Sequence, residues 1–146
     1  MTVIGREQIA AMIPHAGAMG LLDGVLHWDD SSIRCFSTKH RAPDNPLRRA
    51  GRLAGVCGIE FAAQAMAVHG GLVGGAGRRP QAGYLASVRD VKCRQPRLDL
   101  LEGDLIVMAA RLMGDEQRAV YQFALDSLGV EVLSGRAAVV LGALPQ

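Results

Sequence analysis

The fold is decided by residues 55–69, which read GVCGIEFAAQAMAVH. This stretch has no proline and is followed by a run of glycines from Gly70 onward, so it predicts a helix of about four turns that the glycines end. Nearly every position is apolar. We therefore expect the helix to be surrounded by protein, with a sheet wrapped around it.

The chain on both sides of this helix favours β-strands. Strand-like segments lie at residues 21–28, 32–40, 82–92, 104–112, 119–126 and 130–141, a short helix is predicted at residues 5–12, and a long loop at residues 41–52. Strands, a loop, one buried helix and then more strands form an α+β order. This order predicts an antiparallel sheet wrapped around a long central helix and disfavours a parallel α/β fold.

Length and charge limit the functions that the chain can have. Its 146 residues fit a single domain covering positions 1–146, and a net charge of +2 is too small to indicate a nucleic-acid partner. We expect no membrane span, because no apolar run approaches the roughly 20 residues required. A signal-peptide pattern is also missing, so we expect a cytoplasmic protein.

The cysteines and the glycine pattern indicate neither a metal nor a redox cofactor. Cys35, Cys57 and Cys93 are far apart and lie in apolar segments, so we interpret them as buried thiols. The glycine-rich stretch after the helix lacks the sequence of a phosphate-binding loop and indicates a flexible connection. We therefore expect no cofactor and no metal site.

Glu60 is the most informative residue of the helix. Burying a carboxylate in apolar surroundings costs several kcal/mol unless it is paired, protonated or hydrogen-bonded. Gln64 lies one helical turn further and can orient that carboxyl group, which makes Glu60 a candidate general acid. The alternative is a structural ion pair between Glu60 and an arginine of the loop.

Gly55 and two histidines are further candidates. A glycine at the start of the helix allows a ligand carbonyl to approach main-chain N–H groups, although a simple glycine N-cap fits equally well. His15 follows Pro14 in an apolar neighbourhood and is the first candidate for a base, with a packed structural histidine as the alternative. His40 is the second candidate. His27 and His69 are predicted to be structural or solvent-facing, and Asp23 to be structural.

Residues 55–65 resemble the central-helix motif of hotdog-fold 3-hydroxyacyl-ACP dehydratases of the FabZ/FabA type, in which a glycine, an acidic residue and a glutamine recur at these spacings. The segments IPH at residues 13–15, LLD at 21–23 and YLASVR at 84–89 are similar to other parts of that family. The PH, DNPLR and GYLAS segments together resemble a divergent, ApeP-like branch linked to aryl-polyene biosynthesis. The resemblance implies a hotdog fold that dimerises, with active sites between subunits.

The loop departs from the family pattern at a functional position. The resemblance places a catalytic histidine fourteen residues before the acid, where this chain has Pro46. The loop also resembles that of hotdog enoyl hydratases, but their histidine corresponds to Arg48 here. His15 or His40 must then substitute as the base, or catalysis is impaired.

The resemblance implies elimination of water from a 3-hydroxyacyl thioester, with His15 as base and Glu60 as acid. The residues expected to bind substrate are Gly55, Gln64, Arg48 and Arg89. The partner implied is an acyl carrier protein, for which the candidate contacts are Arg48, Arg49, Arg52, Arg78, Arg79 and Arg89. A homodimer and a heterodimer with another dehydratase are both compatible with the sequence. The rival functions are a hotdog thioesterase and a noncatalytic subunit of a heteromeric dehydratase.

Overall fold

The computed structural model describes residues 3–12, 19–74, 84–115 and 117–140. Within these ranges the chain forms two α-helices and seven strands: β1 (Ile4–Gly5), α1 (Arg6–Ala10), β2 (Gly24–Trp28), β3 (Ser32–Ser37), α2 (Gly58–Val73), β4 (Tyr84–Cys93), β5 (Leu105–Gly114), β6 (Arg118–Ser127) and β7 (Val130–Val140). Short 3-10 turns lie at Lys39–Arg41 and Gly55–Cys57. The predicted α+β order is confirmed.

All seven strands belong to one antiparallel sheet in the order β1-β2-β3-β5-β6-β7-β4. β4 pairs with β7 on one side and lies at the edge of the described sheet. Its pairing is irregular at two places, and Asp90 lies at one of them with a positive φ of 56°. This edge strand is therefore bent by a bulge.

One face of the sheet packs against α2. In β6, Tyr121, Phe123 and Leu125 point towards the core, whereas Arg118 and Gln122 are exposed on the opposite face. This alternation follows from the two-residue period of a strand. We call the side that contacts α2 the inner face and the opposite side the outer face.

The helix is less enclosed than its composition predicts. Phe61, Ala65 and Val68 are fully buried, but Glu60, Ala63 and Ala67 form a half-buried stripe along another side of the helix. The expectation that protein surrounds α2 is thus only partly met within one chain. The stripe is a surface on which additional protein can pack.

Both ends of α2 differ from the prediction. The chain enters through the 3-10 turn Gly55–Cys57, and the regular helix begins at Gly58, as is frequent at helix N-termini. At the other end, Gly70 and Gly71 continue the helix to Val73. Packing outweighs the roughly 1 kcal/mol helix penalty of each glycine here, and the prediction of an end at His69 was wrong.

The first hairpin is shorter than predicted because polar side chains bind the main chain at its ends. The Asp23 carboxylate accepts hydrogen bonds from Thr38 N at 2.6 Å and Thr38 Oγ1 at 2.8 Å, and pairs with Arg6. These bonds end β3 at Ser37, so His40 lies in a 3-10 turn. The structural role predicted for Asp23 is confirmed.

The observation on apolar run length that supported the expected absence of a membrane span, and the interpretation of all three thiols as buried, need correction. Gly55–Val73, at 19 residues with a mean hydropathy of 1.3, is long and apolar enough to cross a membrane by length and composition alone. Its packing against the sheet makes it the core helix of this fold. The thiols also differ from one another, because Cys35 is buried, Cys57 is half-buried and Cys93 is exposed.

Candidate functional site

The turn before α2 is held by another part of the main chain. Gly55 N donates to Pro96 O at 2.9 Å, and Leu98 N donates to Leu53 O at 2.8 Å. A Cβ atom at position 55 would lie 1.9 Å from Gln95 O. Gly55 is therefore required by the close approach of this neighbouring segment, and its predicted role as a donor to a thioester oxygen is wrong because its N–H is already bonded.

A different N–H is available at the same turn. The amide of Cys57 donates to Ala54 O and that of Gly58 to Gly55 O, but no main-chain carbonyl of the described residues accepts from Val56 N. Val56 is 53% exposed. Its N–H lies where the partial positive charge of the helix N-terminus is concentrated, so a main-chain donor without a main-chain partner among the described residues lies one residue after Gly55.

Replacing Gly55 by alanine should destabilise the fold without any ligand present. The added methyl group would overlap a main-chain oxygen that cannot rotate away, so the Pro96 bond must break or the turn must shift, at a cost of about 1–3 kcal/mol or more. Urea unfolding of Gly55→Ala measures this loss. Gly129→Ala serves as a control with open space around the new atom, although its φ of 79° adds strain of its own. Unchanged stability of Gly55→Ala would contradict the close approach.

Glu60 lies in the first turn of α2 and is half-buried. Within the described residues, its carboxylate makes no hydrogen bond or ion pair, so the alternative of an ion pair with a loop arginine is not observed there. The nearby Cys57 thiol has its pKa raised, mainly by burial and further by the charge of Glu60. Glu60 thus combines partial access with a carboxylate that the described residues leave unpaired.

Gln64 binds the N-terminal segment of the chain. Its Oε1 accepts a hydrogen bond from Leu21 N at 2.8 Å, and its Nε2 donates to Met19 O at 2.7 Å. The side chain is 1% exposed. Because both ends of the amide contact this segment, the predicted role of Gln64 in orienting Glu60 is wrong, and the residue instead fixes the chain that precedes β2 beside the helix.

The loop before α2 is shaped by its own polar side chains. Arg48 donates to three main-chain oxygens, Ala42 O at 2.9 Å, Gly51 O at 2.8 Å and His40 O at 3.2 Å. Asn45 Nδ2 donates to Lys39 O at 2.9 Å. Arg48 therefore stabilises the loop, and the prediction that it contacts substrate or carrier loses support because each of its three guanidinium nitrogens already donates to the main chain.

Of the two candidate bases, His15 and His40, the structure describes only His40. His15 lies outside the described residues, so its role stays a prediction. His40 is fully buried, its Nε2 donates to Leu101 O at 3.1 Å, and its Nδ1 has no partner within the described residues. Burial lowers the pKa of His40, which keeps the ring neutral. A ligand does not reach this enclosed ring, so His40 is the weaker candidate.

His69 belongs to a buried polar contact at the other end of α2. Its Nε2 donates to Asp29 O at 2.9 Å, and its Nδ1 accepts from Tyr121 Oη at 2.7 Å. Burial lowers the pKa of His69 and raises the pKa of Tyr121 to about 12. The structural role predicted for His69 is confirmed, and His27 is exposed as expected.

The two buried histidines make stability depend on pH. Both are neutral when folded and gain protons more readily when unfolded, so the unfolded chain binds more protons below the ordinary histidine pKa of about 6.5. The free energy of unfolding should therefore be highest above pH 6.5 and should fall as the pH is lowered. Each histidine contributes up to about 1.4 kcal/mol for each pH unit. Urea unfolding from about pH 8 to pH 5 measures the slope. His69→Gln should reduce the slope; an equal slope in the variant and in the wild type would contradict the assignment.

Sequence reasoning missed one ion pair that positions the site. Asp99 Oδ1 accepts from Leu53 N at 3.0 Å, and Asp99 Oδ2 accepts from Arg97 Nη2 at 2.5 Å. The Arg97 guanidinium holds the pKa of Asp99 well below its usual range. Together they fasten the segment that leads into α2. No local motif marks this pair, because its main-chain partner is 46 residues away.

Arg89 lies apart from the other predicted site residues. It is exposed on the outer face of β4, directly opposite Arg136 of β7. α2 and Glu60 lie on the inner side of the sheet, so the structure does not bring Arg89 to the substrate site predicted for it. Among the described residues, no group of three or more His, Cys, Asp and Glu side chains is placed to hold a metal ion.

The comparisons agree with this architecture. The dehydratase heterocomplex ApeI:P from Xenorhabdus doucetiae is similar to the chain, with a TM-score of 0.83 and 25% identity over 92% of this chain and 91% of that chain. A mutant of thioesterase PA1618 from Pseudomonas aeruginosa has a TM-score of 0.66 and 16% identity over 97% of this chain and 96% of that chain. Thioesterase HI1161 from Haemophilus influenzae has a TM-score of 0.67 and 12% identity over 99% and 94%. At these identities the two thioesterases show the fold alone.

The fold and the family agree with the resemblance found in the sequence. The chain has the hotdog fold, an antiparallel sheet with one long central helix. No curated protein matches it in sequence. The sequence model of the ApeP-like family, described as ApeP dehydratase, matches residues 7–143. The chain therefore belongs to the ApeP-like family of dehydratases.

Proposed function

We propose that this protein eliminates water from 3-hydroxyacyl thioesters carried by an acyl carrier protein and forms trans-2-enoyl thioesters, in the cytoplasm and within fatty-acid-like or aryl-polyene biosynthesis. The observation that carries the proposal is the pair of hydrogen bonds by which Gln64 Nε2 donates to Met19 O and Gln64 Oε1 accepts from Leu21 N. These bonds anchor the segment following His15 to the helix that carries Glu60.

Chain length supports the pairing of His15 with Glu60. Gln64 lies one helical turn, about 6 Å, from Glu60. Four Cα–Cα steps lead from His15 to Met19, a length that spans at most about 14 Å. Chain length therefore allows His15 to approach Glu60, and we propose that the two residues face each other.

The proposed reaction uses three groups. The His15 imidazole removes the proton from Cα, the thioester oxygen gains negative charge, and the Val56 N–H stabilises it. Glu60 gives a proton to the β-hydroxyl, the Cβ–O bond breaks, and water leaves as the Cα–Cβ double bond forms. The half-buried position of Glu60 suits a group that must exchange protons and still contact substrate.

The carrier protein is expected to approach the loop before α2. Of the arginines predicted to contact it, Arg78 and Arg79 lie outside the described residues, Arg48 is bonded within the loop, and Arg89 lies on the outer face. Arg49 and Arg52 are exposed beside the turn that begins α2. Arg49 donates to Pro46 O and Arg48 O through Nη1 alone, so its Nε and Nη2 make no hydrogen bond to the described residues. We propose that Arg49 and Arg52 contact the acidic carrier protein.

We further propose that the working enzyme is a heterodimer with a second dehydratase chain. The similarity to a protein of the ApeI:P heterocomplex supports this partner. The half-buried stripe of α2 and the edge strand β4 are two surfaces that a second hotdog chain can cover. A noncatalytic role in such a pair remains the alternative if His15 does not act as a base.

The decisive experiment is mass spectrometry of a 3-hydroxyacyl carrier protein incubated with the chain alone and with a candidate partner subunit. Loss of water from the acyl group supports the proposal, and its dependence on the partner supports the heterodimer. His15→Ala should abolish the loss; full activity of that variant would remove the proposed base. Release of free carrier thiol would identify a thioesterase and overturn the dehydratase assignment.

A further inference from the structure

The outer face of the sheet carries two adjoining grooves. The first has a volume of about 400 Å³, lies over β3, β5 and β6, and includes Arg34, Met108 and Gln122. The second has a volume of about 270 Å³, lies over β4, β6 and β7, and includes Arg89 and Arg136. Arg136 Nε donates to Gln122 Oε1 at 3.3 Å, which joins the rims of the two grooves. We call the combined surface the outer-face trough.

Among the described residues that line the trough, the charged ones are all basic. Arg34, Arg89 and Arg136 are exposed, and no described aspartate or glutamate lines either groove. Arg89 and Arg136 stand directly opposite each other on neighbouring strands, a pairing of like charges that destabilises a sheet. An anionic partner bound between them would remove this repulsion.

Three acidic side chains of the same strands lie near the trough without lining it. Asp90 follows Arg89 in β4, is exposed, and makes no ion pair with the described residues. Asp126 and Glu131 face each other in register near the ends of β6 and β7, outside both grooves. Glu131 is already bonded to Arg94 at 2.6 Å. The positive charge of the trough is therefore available to a partner.

The floor of the trough is apolar and built from small side chains. Ala110, Ala124 and Ala138 line it, with Met108 and Met113 beside them, and Met113 is 67% exposed. From β3 to β4 the surface crosses four strand spacings, about 19 Å. A small anion would occupy only the arginine pair. An apolar floor of this width with a charged rim is instead typical of a protein contact.

We propose that the outer-face trough is a docking surface for an acidic protein, whose carboxylates pair with Arg34, Arg89 and Arg136 around an apolar contact on the alanine floor. α2 and Glu60 lie on the other side of the sheet. Docking at the trough therefore leaves the proposed reaction site open, and this surface is separate from the carrier contact at Arg49 and Arg52.

The test uses the full chain and a synthetic amphipathic peptide with leucines on one face and glutamates along both edges. Calorimetry should show binding, and amide NMR shifts should map it to β3, β5, β6 and β7. The double variant Arg89→Gln/Arg136→Gln should bind about tenfold or more weakly, as expected for lost charge pairs. Arg118→Gln changes an exposed arginine of β6 outside both grooves and should bind as the wild type does.

Salt provides a measurement that needs no variant. Raising the salt concentration to about 1 M shortens the Debye length to about 3 Å, so peptide binding should weaken strongly. The proposal is overturned if the peptide does not bind, if its shifts map to α2, or if a peptide with glutamines in place of glutamates binds equally well. Tighter binding of an oligonucleotide to the same residues would also overturn it, in favour of a nucleic-acid surface.

Discussion

Replacing Glu60 by glutamine should lower kcat/KM for water elimination by about 10²- to 10⁴-fold, the usual contribution of a general acid. The glutamine amide has the same shape but no acidic proton that it could transfer to the departing hydroxyl. Glu60 is half-buried and makes no contact to the described residues that the change would break. The variant should therefore remain folded with an unfolding temperature close to that of the wild type.

The measurement is single-turnover mass spectrometry of the 3-hydroxyacyl carrier protein, with the partner subunit present if it is required. Glu102→Gln is the matched control, because Glu102 is an exposed glutamate outside α2. It should retain full activity. A fully active Glu60→Gln protein would show that the carboxylate takes no part in the reaction.

Replacing Gln64 by methionine should destabilise the fold by about 2–5 kcal/mol. Methionine matches glutamine in length but cannot make the two hydrogen bonds, so Leu21 N and Met19 O lose their partner beside a buried helix face. Each unsatisfied buried group costs about 1–3 kcal/mol. The segment that carries His15 should also detach from α2, with a loss of activity larger than the loss of folded protein.

Urea unfolding and activity at a temperature where the variant is folded measure the two effects separately. Gln117→Met changes an exposed glutamine and should alter neither. A loss below about 0.5 kcal/mol for Gln64→Met would mean that these hydrogen bonds contribute little. Unchanged activity of Gln64→Met would show that the position of the N-terminal segment does not affect the reaction.

The fold was predictable because its signals are local. Residues 55–69 carry helix formers without a proline. β5 is an apolar run that ends at a turn, and β6 places Tyr121, Phe123 and Leu125 at every second position, so the types of these elements followed from local patterns. The ends were not predictable in the same way. Asp23 ends β3 through contacts to Thr38, 15 residues away, and packing carries α2 through Gly70.

The site was predictable only where a residue acts by its own chemistry. Glu60 was identified because a carboxylate in an apolar helix is conspicuous. Gly55, Gln64 and Arg48 were assigned to a ligand, yet each contacts main-chain atoms of this chain. A sequence shows that a donor exists but not which acceptor it faces. The acceptors of Gly55 and Gln64 are distant in sequence and become neighbours only after folding.

The bent edge of the sheet limits how this protein can assemble. A straight edge strand offers its free N–H and C=O groups to any extended chain, and copies can add to it without end. β4 instead carries Arg89, Asp90 and Lys92 and turns out of register at Asp90. Only a strand with a complementary bend can pair along the whole length of β4. We therefore expect assembly at this edge to stop after a single addition, giving a closed pair and not a fibre.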